Sequence, residues 1–223
     1  MVPPHRPATL VVVAGTGTDI GKTWVGSQLA GELRLRGFTV AARKPAQSFD
    51  PAVDHPLDAE LLAAATGESV TDVCPPARWY AKPMAPPMAA ESMGLAPFTL
   101  RDIRDELRWP PATDVGIVEQ AGGIGAPQAS DGDGVDMVKL LEPDLVVLVA
   151  LPGLGTLSSV SLAVRALGGR RLVVYMNRFD PSDELHSANL SWLRERAGLA
   201  VEVSVSSLAG DVAGLRDPLG GFG

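Results

Sequence analysis

One short segment constrains the fold more than any other part of the chain. Residues 15–23, Gly-Thr-Gly-Thr-Asp-Ile-Gly-Lys-Thr, follow an apolar run at 9–14 and open a helical pattern. Between a strand and a helix, the backbone N–H groups of a glycine-rich loop can approach phosphate oxygens, and the helix N-terminus adds partial positive charge. The segment therefore predicts a phosphate-binding loop (P-loop), with Lys22 at the β- and γ-phosphates and the Thr23 hydroxyl on Mg²⁺.

The spacing of this loop departs from the usual pattern by one residue. The usual first glycine stands five positions before Gly21, where this chain has Thr16, and Gly15 makes the loop one residue longer. A glycine-rich turn without a ligand is the alternative interpretation. The order strand, loop, Gly-Lys-Thr and helix favours nucleotide binding.

Short β-branched runs alternate with helical patterns along the whole chain, which is typical of a parallel sheet covered by helices. We predict one α/β domain over residues 1–223, with a mostly parallel sheet and helices on both faces, of the P-loop NTPase type. Residues 73–97 contain six prolines and are predicted to be an irregular binding or interface segment. Residues 1–8 and 218–223 are predicted to be loose. The predicted strands are 9–14, 38–43, 115–119, 144–150, 171–176 and 200–205, and the predicted helices are 21–36, 58–66, 99–108, 157–167 and 182–197.

Composition argues against several classes of protein. With 19 basic and 26 acidic residues and no basic stripe, the chain is a poor candidate for general nucleic-acid binding, although a nest of N–H groups can still hold a small anion. The apolar run 145–151 is far shorter than the roughly 20 residues of a membrane-spanning helix, and the N-terminus has no signal-peptide pattern. The single cysteine, Cys74, permits no intrachain disulfide and is interpreted as an inert thiol. We therefore expect a cytoplasmic protein with a small-molecule substrate.

Polar side chains follow several predicted strands where ligands of parallel sheets bind. Lys44 and Ser48 follow the second strand, Glu119 ends the strand at 115–119, and Asn177 follows the strand at 171–176. Glu119 has the place of the acidic group that supports Mg²⁺ in P-loop enzymes, and Asp58 opens a predicted helix. Each also has a plain structural interpretation: a surface lysine, an exposed carboxylate, a helix cap or a turn residue.

Four segments together resemble the dethiobiotin synthetase family, ATP-dependent enzymes that close the ureido ring in biotin biosynthesis. The loop at 15–23 is similar to the family's phosphate loop, including its extra residue. The family's Lys-Pro-x-x-Ser/Thr, Glu-Gly-Ala-Gly-Gly and Leu-Gly-x-Ile/Leu segments resemble 44–48, 119–123 and 154–157.

The resemblance implies ATP and Mg²⁺ as cofactors, a diamine and CO2 as substrates, and a homodimer. It implies a reaction in which 7,8-diaminononanoate is carboxylated, the carbamate is phosphorylated, and the second amine closes the ring. Lys44 and Lys22 would be catalytic, and Asn177 would read the adenine edge. The implied nucleotide contacts are Thr18, Asp19, Ile20, Gly21, Lys22, Thr23, Trp24, Asp58, Glu119, Gly122 and Asn177; the implied substrate contacts are Ser48, Asp19 and Gly155; and the implied Mg²⁺ ligands are Thr23, Asp58 and Glu119.

Three departures from the family keep other functions open. Gln120 and Phe49 stand where the family has glycine, and Ser158-Ser159 replaces Asn-His. One alternative is a nucleotide-switch ATPase of the partitioning or iron-protein type, although residues 16–18 lack the extra lysine of those loops. A cobyrinate-type amidating enzyme would need a glutaminase domain, for which 223 residues leave little room. A paralogue that binds nucleotide without the biotin reaction is the third alternative.

Overall fold

The computed structural model describes residues 6–215, which contain a six-stranded sheet and two small two-stranded sheets. The strands, numbered along the chain, are β1 (Thr9–Gly15), β2 (Val40–Arg43), β3 (Gln47–Ser48), β4 (Trp79–Tyr80), β5 (Val115–Glu119), β6 (Pro127–Ala129), β7 (Gly132–Asp133), β8 (Leu145–Ala150), β9 (Leu172–Met176) and β10 (Val201–Glu202).

The helices connect these strands and lie on both faces of the large sheet. They are α1 (Lys22–Leu35), α2 (Asp58–Thr66), α3 (Val70–Val73), α4 (Pro86–Ser92), α5 (Leu100–Glu106), α6 (Gly134–Leu141), α7 (Thr156–Leu167), α8 (Glu184–Ser191) and α9 (Val205–Gly214), with a 3₁₀ turn at Pro76–Arg78 and a π-helical turn at Trp192–Arg196.

The large sheet has the strand order β10-β9-β8-β1-β5-β2, and all of its neighbouring strands are parallel. β1 is fully buried, as expected for a central parallel strand. In the register, Val13 lies opposite Glu119, and Arg43 lies opposite Val118. The end of β5 therefore stands between the end of β1 and the end of β2, which brings three predicted site segments to one edge of the sheet.

The alternation of side chains along β1 divides the core in two. Val11 and Val13 pack with apolar residues of α1, α2 and α9 on one face, whereas Leu10, Val12 and Ala14 pack with residues of α5, α6 and α7 on the other. The predicted α/β architecture with helices on both faces is confirmed.

Several element predictions are corrected by the structure. The segment 73–97 is not irregular throughout: it contains the short strand β4 and helix α4, which starts with prolines in its first turn, where a missing N–H has no cost. The last strand is only Val201–Glu202, because Ser204 caps α9 by accepting from the Ser207 N–H. The β6–β7 hairpin and α6, which begins with an Asp133 capping box, have no counterpart among the predicted elements.

The chain ends are described only in part. The predicted loose ends lie outside the described residues except for 6–8, where Arg6 contacts the Asp144 carboxylate at 3.0 Å and Ala8 N–H donates to Thr113. Within 6–215, no helix combines the length and apolar character that crossing a bilayer requires.

Candidate active site

The P-loop connects β1 to α1 through two residues in the left-handed region, Asp19 at φ 57° and Gly21 at φ 88°. Asn177, directly after β9, donates from Nδ2 to the Ile20 carbonyl at 2.8 Å. A Cβ at position 21 would lie 2.1 Å from that nitrogen. Gly21 is therefore required both by its backbone angle and by the amide packed against it.

The turn after β5 packs against the P-loop from the other side. Ile124 N–H donates to the Gly15 carbonyl at 2.7 Å. A Cβ at Gly123 would lie 3.2 Å from the Gly17 Cα, and Gly122 is left-handed at φ 63°. The Ala-Gly-Gly sequence at 121–123 thus lets two backbone segments lie in contact.

Four polar side chains meet beside the P-loop and form what we call the Lys44 cluster: Thr23, Lys44, Asp58 and Glu119. Lys44 Nζ lies 2.6 Å from Glu119 Oε1 and 2.6 Å from Asp58 Oδ2. Thr23 Oγ1 lies 2.7 Å from Asp58 Oδ1 and 2.8 Å from Glu119 Oε1. The structure brings together all three predicted Mg²⁺ ligands and one of the two predicted catalytic lysines.

The Lys44 ammonium and the Asp58 carboxylate stabilise each other's charge. Burial alone would lower the pKa of Lys44, but Glu119 and Asp58 hold that pKa above its ordinary value. Burial would raise the pKa of Asp58, yet the Lys44 ammonium lowers it, whereas burial dominates at Glu119 and raises its pKa. Lys44 is therefore cationic and Asp58 anionic at neutral pH.

The second predicted catalytic lysine has a different environment. Lys22 Nζ donates to the Gly17 carbonyl at 3.0 Å and makes no ion pair within residues 6–215. Burial and the nearby Lys44 ammonium lower its pKa below the ordinary value. A buried ammonium without a carboxylate partner, inside a loop of backbone N–H groups, is suited to bind an anion.

The oxygen atoms of Thr23, Asp58 and Glu119 are suitable ligands for a magnesium ion. Glu119 Oε2 is buried without a hydrogen-bond partner in the described structure. The available ligands are two carboxylates and a hydroxyl, and Mg²⁺ in nucleotide sites takes one or two carboxylates together with waters and phosphate oxygens. Among residues 6–215, no group of three or more His, Cys, Asp and Glu side chains is placed to hold a metal ion.

The basic residue next to Lys44 is structural. Arg43 is buried, pairs with Glu68 at 2.7 Å, donates to the Arg108 carbonyl, and lies 4.9 Å from the centre of the Trp109 ring. Successive residues of an extended chain point to opposite sides, so Lys44 joins the cluster beside the P-loop and Arg43 does not.

The segment after Lys44 contains one predicted contact and one that sequence reasoning missed. Ser48 Oγ is buried without a partner among the described residues. Gln47, also buried, accepts from the Ala59 N–H at 3.1 Å, next to Asp58. Gln47 accepts a hydrogen bond from a helix that begins eleven residues later, and no local sequence pattern indicates such a contact.

The departure at Gln120 is explained by its surroundings. Gln120 is fully buried and donates from Nε2 to the Gly134 carbonyl at 2.7 Å, at the start of α6. Gln128, which sequence reasoning also missed, exchanges two hydrogen bonds with the Ala121 backbone, at 3.0 and 2.7 Å. Gln128 thus binds the first residue of the Ala-Gly-Gly turn, and Gln120 links the residue before that turn to the start of α6. Phe49 is the other position where the family has glycine. Its N–H donates to the Tyr80 carbonyl at 3.0 Å, which extends the pairing of β3 with β4 by one hydrogen bond.

The remaining predicted contacts lie outside the Lys44 cluster. Thr18 and Asp19 are exposed on the P-loop, Ile20 is buried beneath it, and Trp24 is half-exposed on α1. Gly155 is exposed and left-handed at the start of α7, next to Thr156, whose Oγ1 is buried without a partner in the described chain. Burial raises the pKa of the Cys74 thiol to about 12, as for an inert thiol.

Known proteins resemble the chain at two levels. A family model described as an AAA domain matches residues 9–191. The ATP-dependent dethiobiotin synthetase BioD of Caulobacter vibrioides is 40% identical over 73% of this chain and 75% of the relative. The enzymes of the same name from Anaeromyxobacter dehalogenans and Haloferax mediterranei are each 33% identical, over 85% and 93% of this chain and 87% and 90% of the relatives.

Solved structures share the fold at much lower identity. A plasmid partition protein from Borrelia burgdorferi has a TM-score of 0.55 at 10% identity, covering 94% of this chain and 96% of that protein. Chloroplast FtsY from Physcomitrella patens has a TM-score of 0.51 at 16% identity, covering 97% of this chain and 67% of that protein. These likenesses concern the fold alone.

Proposed function

The chain belongs to the ATP-dependent dethiobiotin synthetase family, and on that premise we propose that it is itself an ATP-dependent cyclo-ligase that closes the ureido ring of dethiobiotin. One observation carries the proposal beyond family membership. Lys44 lies 2.6 Å from both Glu119 and Asp58, and β5 separates its strand from β1, which leads into the P-loop. The P-loop contains a second ammonium, Lys22, which has no ion-pair partner among residues 6–215.

The proposed reaction has three steps. One amine of 7,8-diaminononanoate attacks CO2 and loses a proton, which gives a carbamate. A carbamate oxygen attacks the γ-phosphorus of ATP, and the bond to the bridging oxygen breaks, so that ADP leaves and a carbamic–phosphoric anhydride forms. The second amine attacks the carbonyl carbon, loses a proton and expels phosphate.

The two lysines supply most of the electrostatic stabilisation. Lys22 holds the γ-phosphate, and Lys44 lies where the carbamate meets that phosphate. Fixed cations stabilise the charge that spreads over the phosphoryl oxygens, and they need no reorganisation during transfer. The bonds that orient Lys44 to Asp58 and Glu119 support this role.

Magnesium completes the charge balance when bound, because it neutralises the phosphate oxygens. Thr23, Asp58 and Glu119 would hold it, and the unpartnered Glu119 Oε2 supports that assignment. We expect EDTA to abolish activity and Mg²⁺ to restore it.

We assign the substrate contacts by analogy with the family. Ser48 contacts the diamine, Asp19 attracts its ammonium groups, and the segment at Gly155 holds its carboxylate end across a dimer interface. Asn177 reads the adenine edge: one N–H of its Nδ2 donates to the Ile20 carbonyl, which leaves the amide oxygen and the second N–H for the base. A cytoplasmic homodimer is part of the same proposal.

The alternatives receive less support. The partition-protein likeness is one of fold, and residues 16–18 lack the extra lysine of that class. A paralogue without the biotin reaction is suggested by Gln120 together with Ser158-Ser159. The Gln120 side chain binds the backbone at Gly134, which gives that departure a structural role.

The deciding experiment is a ring-closure assay with diaminononanoate, bicarbonate and Mg-ATP. We expect ADP and phosphate to form only when diamine and bicarbonate are both present, together with dethiobiotin by mass spectrometry. ATP turnover that responds to a protein or DNA but not to diamine would instead support the nucleotide-switch function.

A further inference from the structure

Gln47 makes an unusual contact beside the Lys44 cluster. It opens β3, three residues after Lys44, and its side chain is 2% exposed. Its Oε1 accepts from the Ala59 N–H at 3.1 Å, and Ala59 is the second residue of α2, directly after Asp58. Gln47 therefore contacts the one helical turn that presents Asp58.

Helix α2 needs such a contact because its own N-cap cannot provide one. The N-cap residue is Leu57, which has no side-chain acceptor, and the Glu60 carboxylate binds the Leu57 N–H at 2.8 Å. The first N–H groups of a helix have no acceptor within the helix and normally receive one from a polar N-cap side chain. Here the acceptor comes from a different strand.

The orientation of the amide supports this interpretation. The oxygen must face Ala59, because a backbone N–H requires an acceptor. The nitrogen Nε2 is buried without a partner in the described chain. The glutamine is thus used for its oxygen, since an apolar residue would fill the same space without an unpaired donor.

The segment from Lys44 to Gln47 consequently holds the start of α2 at two points. Lys44 Nζ binds the Asp58 side chain at 2.6 Å, and Gln47 binds the helix backbone one residue later. Asp58 also reaches Thr23 at 2.7 Å, so the position of this turn sets two contacts of the cluster.

We propose that Gln47 is a positioning residue that fixes the first turn of α2 and thereby holds the Asp58 carboxylate in place for the magnesium–nucleotide complex. The inference rests on the proposed function, in which Asp58 is a Mg²⁺ ligand. It adds a residue that acts through the helix backbone at Ala59.

The test compares ADP binding by calorimetry with and without Mg²⁺, using the full-length protein. Gln47→Met removes the acceptor at similar volume, and Gln47→Glu keeps an acceptor. Thr99→Val is the matched control, because it removes the N-cap of α5, whose bonds involve Asp102 and no member of the Lys44 cluster. Thermal unfolding of all four proteins measures the cost of losing a cap.

We expect the tightening of ADP binding by Mg²⁺ to fall at least fivefold in Gln47→Met, while metal-free ADP binding changes less than twofold. Thr99→Val should lose a comparable amount of thermal stability and keep the full Mg²⁺ effect, and Gln47→Glu should keep it as well. An unchanged Mg²⁺ effect in Gln47→Met, or an equal loss in Gln47→Glu, would overturn the inference. Failure of the wild-type protein to bind ADP would instead contradict the proposed function.

Discussion

The two ends of the candidate site are built in different ways. In the Lys44 cluster, the side chains of Lys44 and Glu119 are 3% and 1% exposed, and the polar groups bind one another at 2.6–2.8 Å. At the start of α7, Leu154 is 92% exposed, and the buried Thr156 Oγ1 has no partner among residues 6–215. The chain thus preorganises the phosphate side by itself, whereas we expect the α7 side to be completed by substrate or a second copy of the chain.

The strongest test of the phosphate side is Lys44→Met. It leaves the buried Glu119 without its cation, so we expect a loss of about 3–5 kcal/mol in the free energy of unfolding by urea. We expect kcat for ring closure to fall by roughly a thousandfold, because a fixed cation is absent from the transition state.

The control is Arg43→Met, which removes the neighbouring buried cation and its ion pair with Glu68. It should be destabilised to a similar degree while the folded protein keeps its kcat. Equal losses of kcat in both variants would contradict a catalytic role for Lys44.

The next largest effect is expected from Lys22→Ala, which removes the P-loop ammonium that has no carboxylate partner in the described part of the chain. We expect kcat/KM for ATP to fall by roughly a hundredfold, with KM for ATP raised as well. Initial rates over a range of ATP concentrations measure both, and the exposed Lys139→Ala is the control. An unchanged KM for ATP would argue against phosphate binding by Lys22.

Ser48→Ala tests the boundary between the two sides. The variant loses one hydrogen bond to the diamine, so we expect KM for the diamine to rise about tenfold. KM for ATP should stay within about twofold of the wild-type value. Ser27→Ala is a matched control, since the Ser27 hydroxyl on α1 is also buried without a partner in the described chain. If KM for diamine does not change, Ser48 is not a substrate contact.

A smaller effect is expected on the α7 side. The double change Ser158→Asn with Ser159→His introduces the family's residues, and we expect KM for diamine to fall about threefold while KM for ATP stays constant. Ser161→Asn, one turn further along α7, serves as the control. A change in KM for ATP would contradict the division of the site into two sides.

The smallest effect on activity is expected from Gln120→Gly. It removes the bond to Gly134 and should cost about 2 kcal/mol of stability, while kcat stays within about twofold. Chemical denaturation and the ring-closure assay measure the two quantities, and Gln120→Ala separates the lost bond from added backbone freedom. A large change in kcat would revive the paralogue interpretation.

The sequence predicted the parts of the molecule whose signals are local. The P-loop and the helices predicted at 58–66 and 99–108 follow from nearby residues, and the structure has helices at Asp58–Thr66 and Leu100–Glu106. The positions of Lys44 and Glu119 at strand ends indicated site residues, but their meeting with Asp58 was implied only by the family resemblance, because it depends on strand order.

The residues that were missed make contacts distant in the chain. Gln47 binds an N–H twelve positions away, and Gln128 binds the Ala121 backbone seven positions away. Helix α4 was not predicted because a proline-rich stretch is typical of irregular structure, although proline is also common in the first turn of a helix. Such contacts become visible only when the backbone path is known.

The packing of Asn177 on Gly21 limits how the base preference of this site could be redesigned. The Asn177 amide, which we propose contacts the base, is anchored to the Ile20 carbonyl, and no side chain fits at position 21 against it. An attempt to recognise another nucleobase by replacing Asn177 would therefore also disturb the triphosphate cradle. New base selectivity is better introduced by substituting residues that do not contact the P-loop.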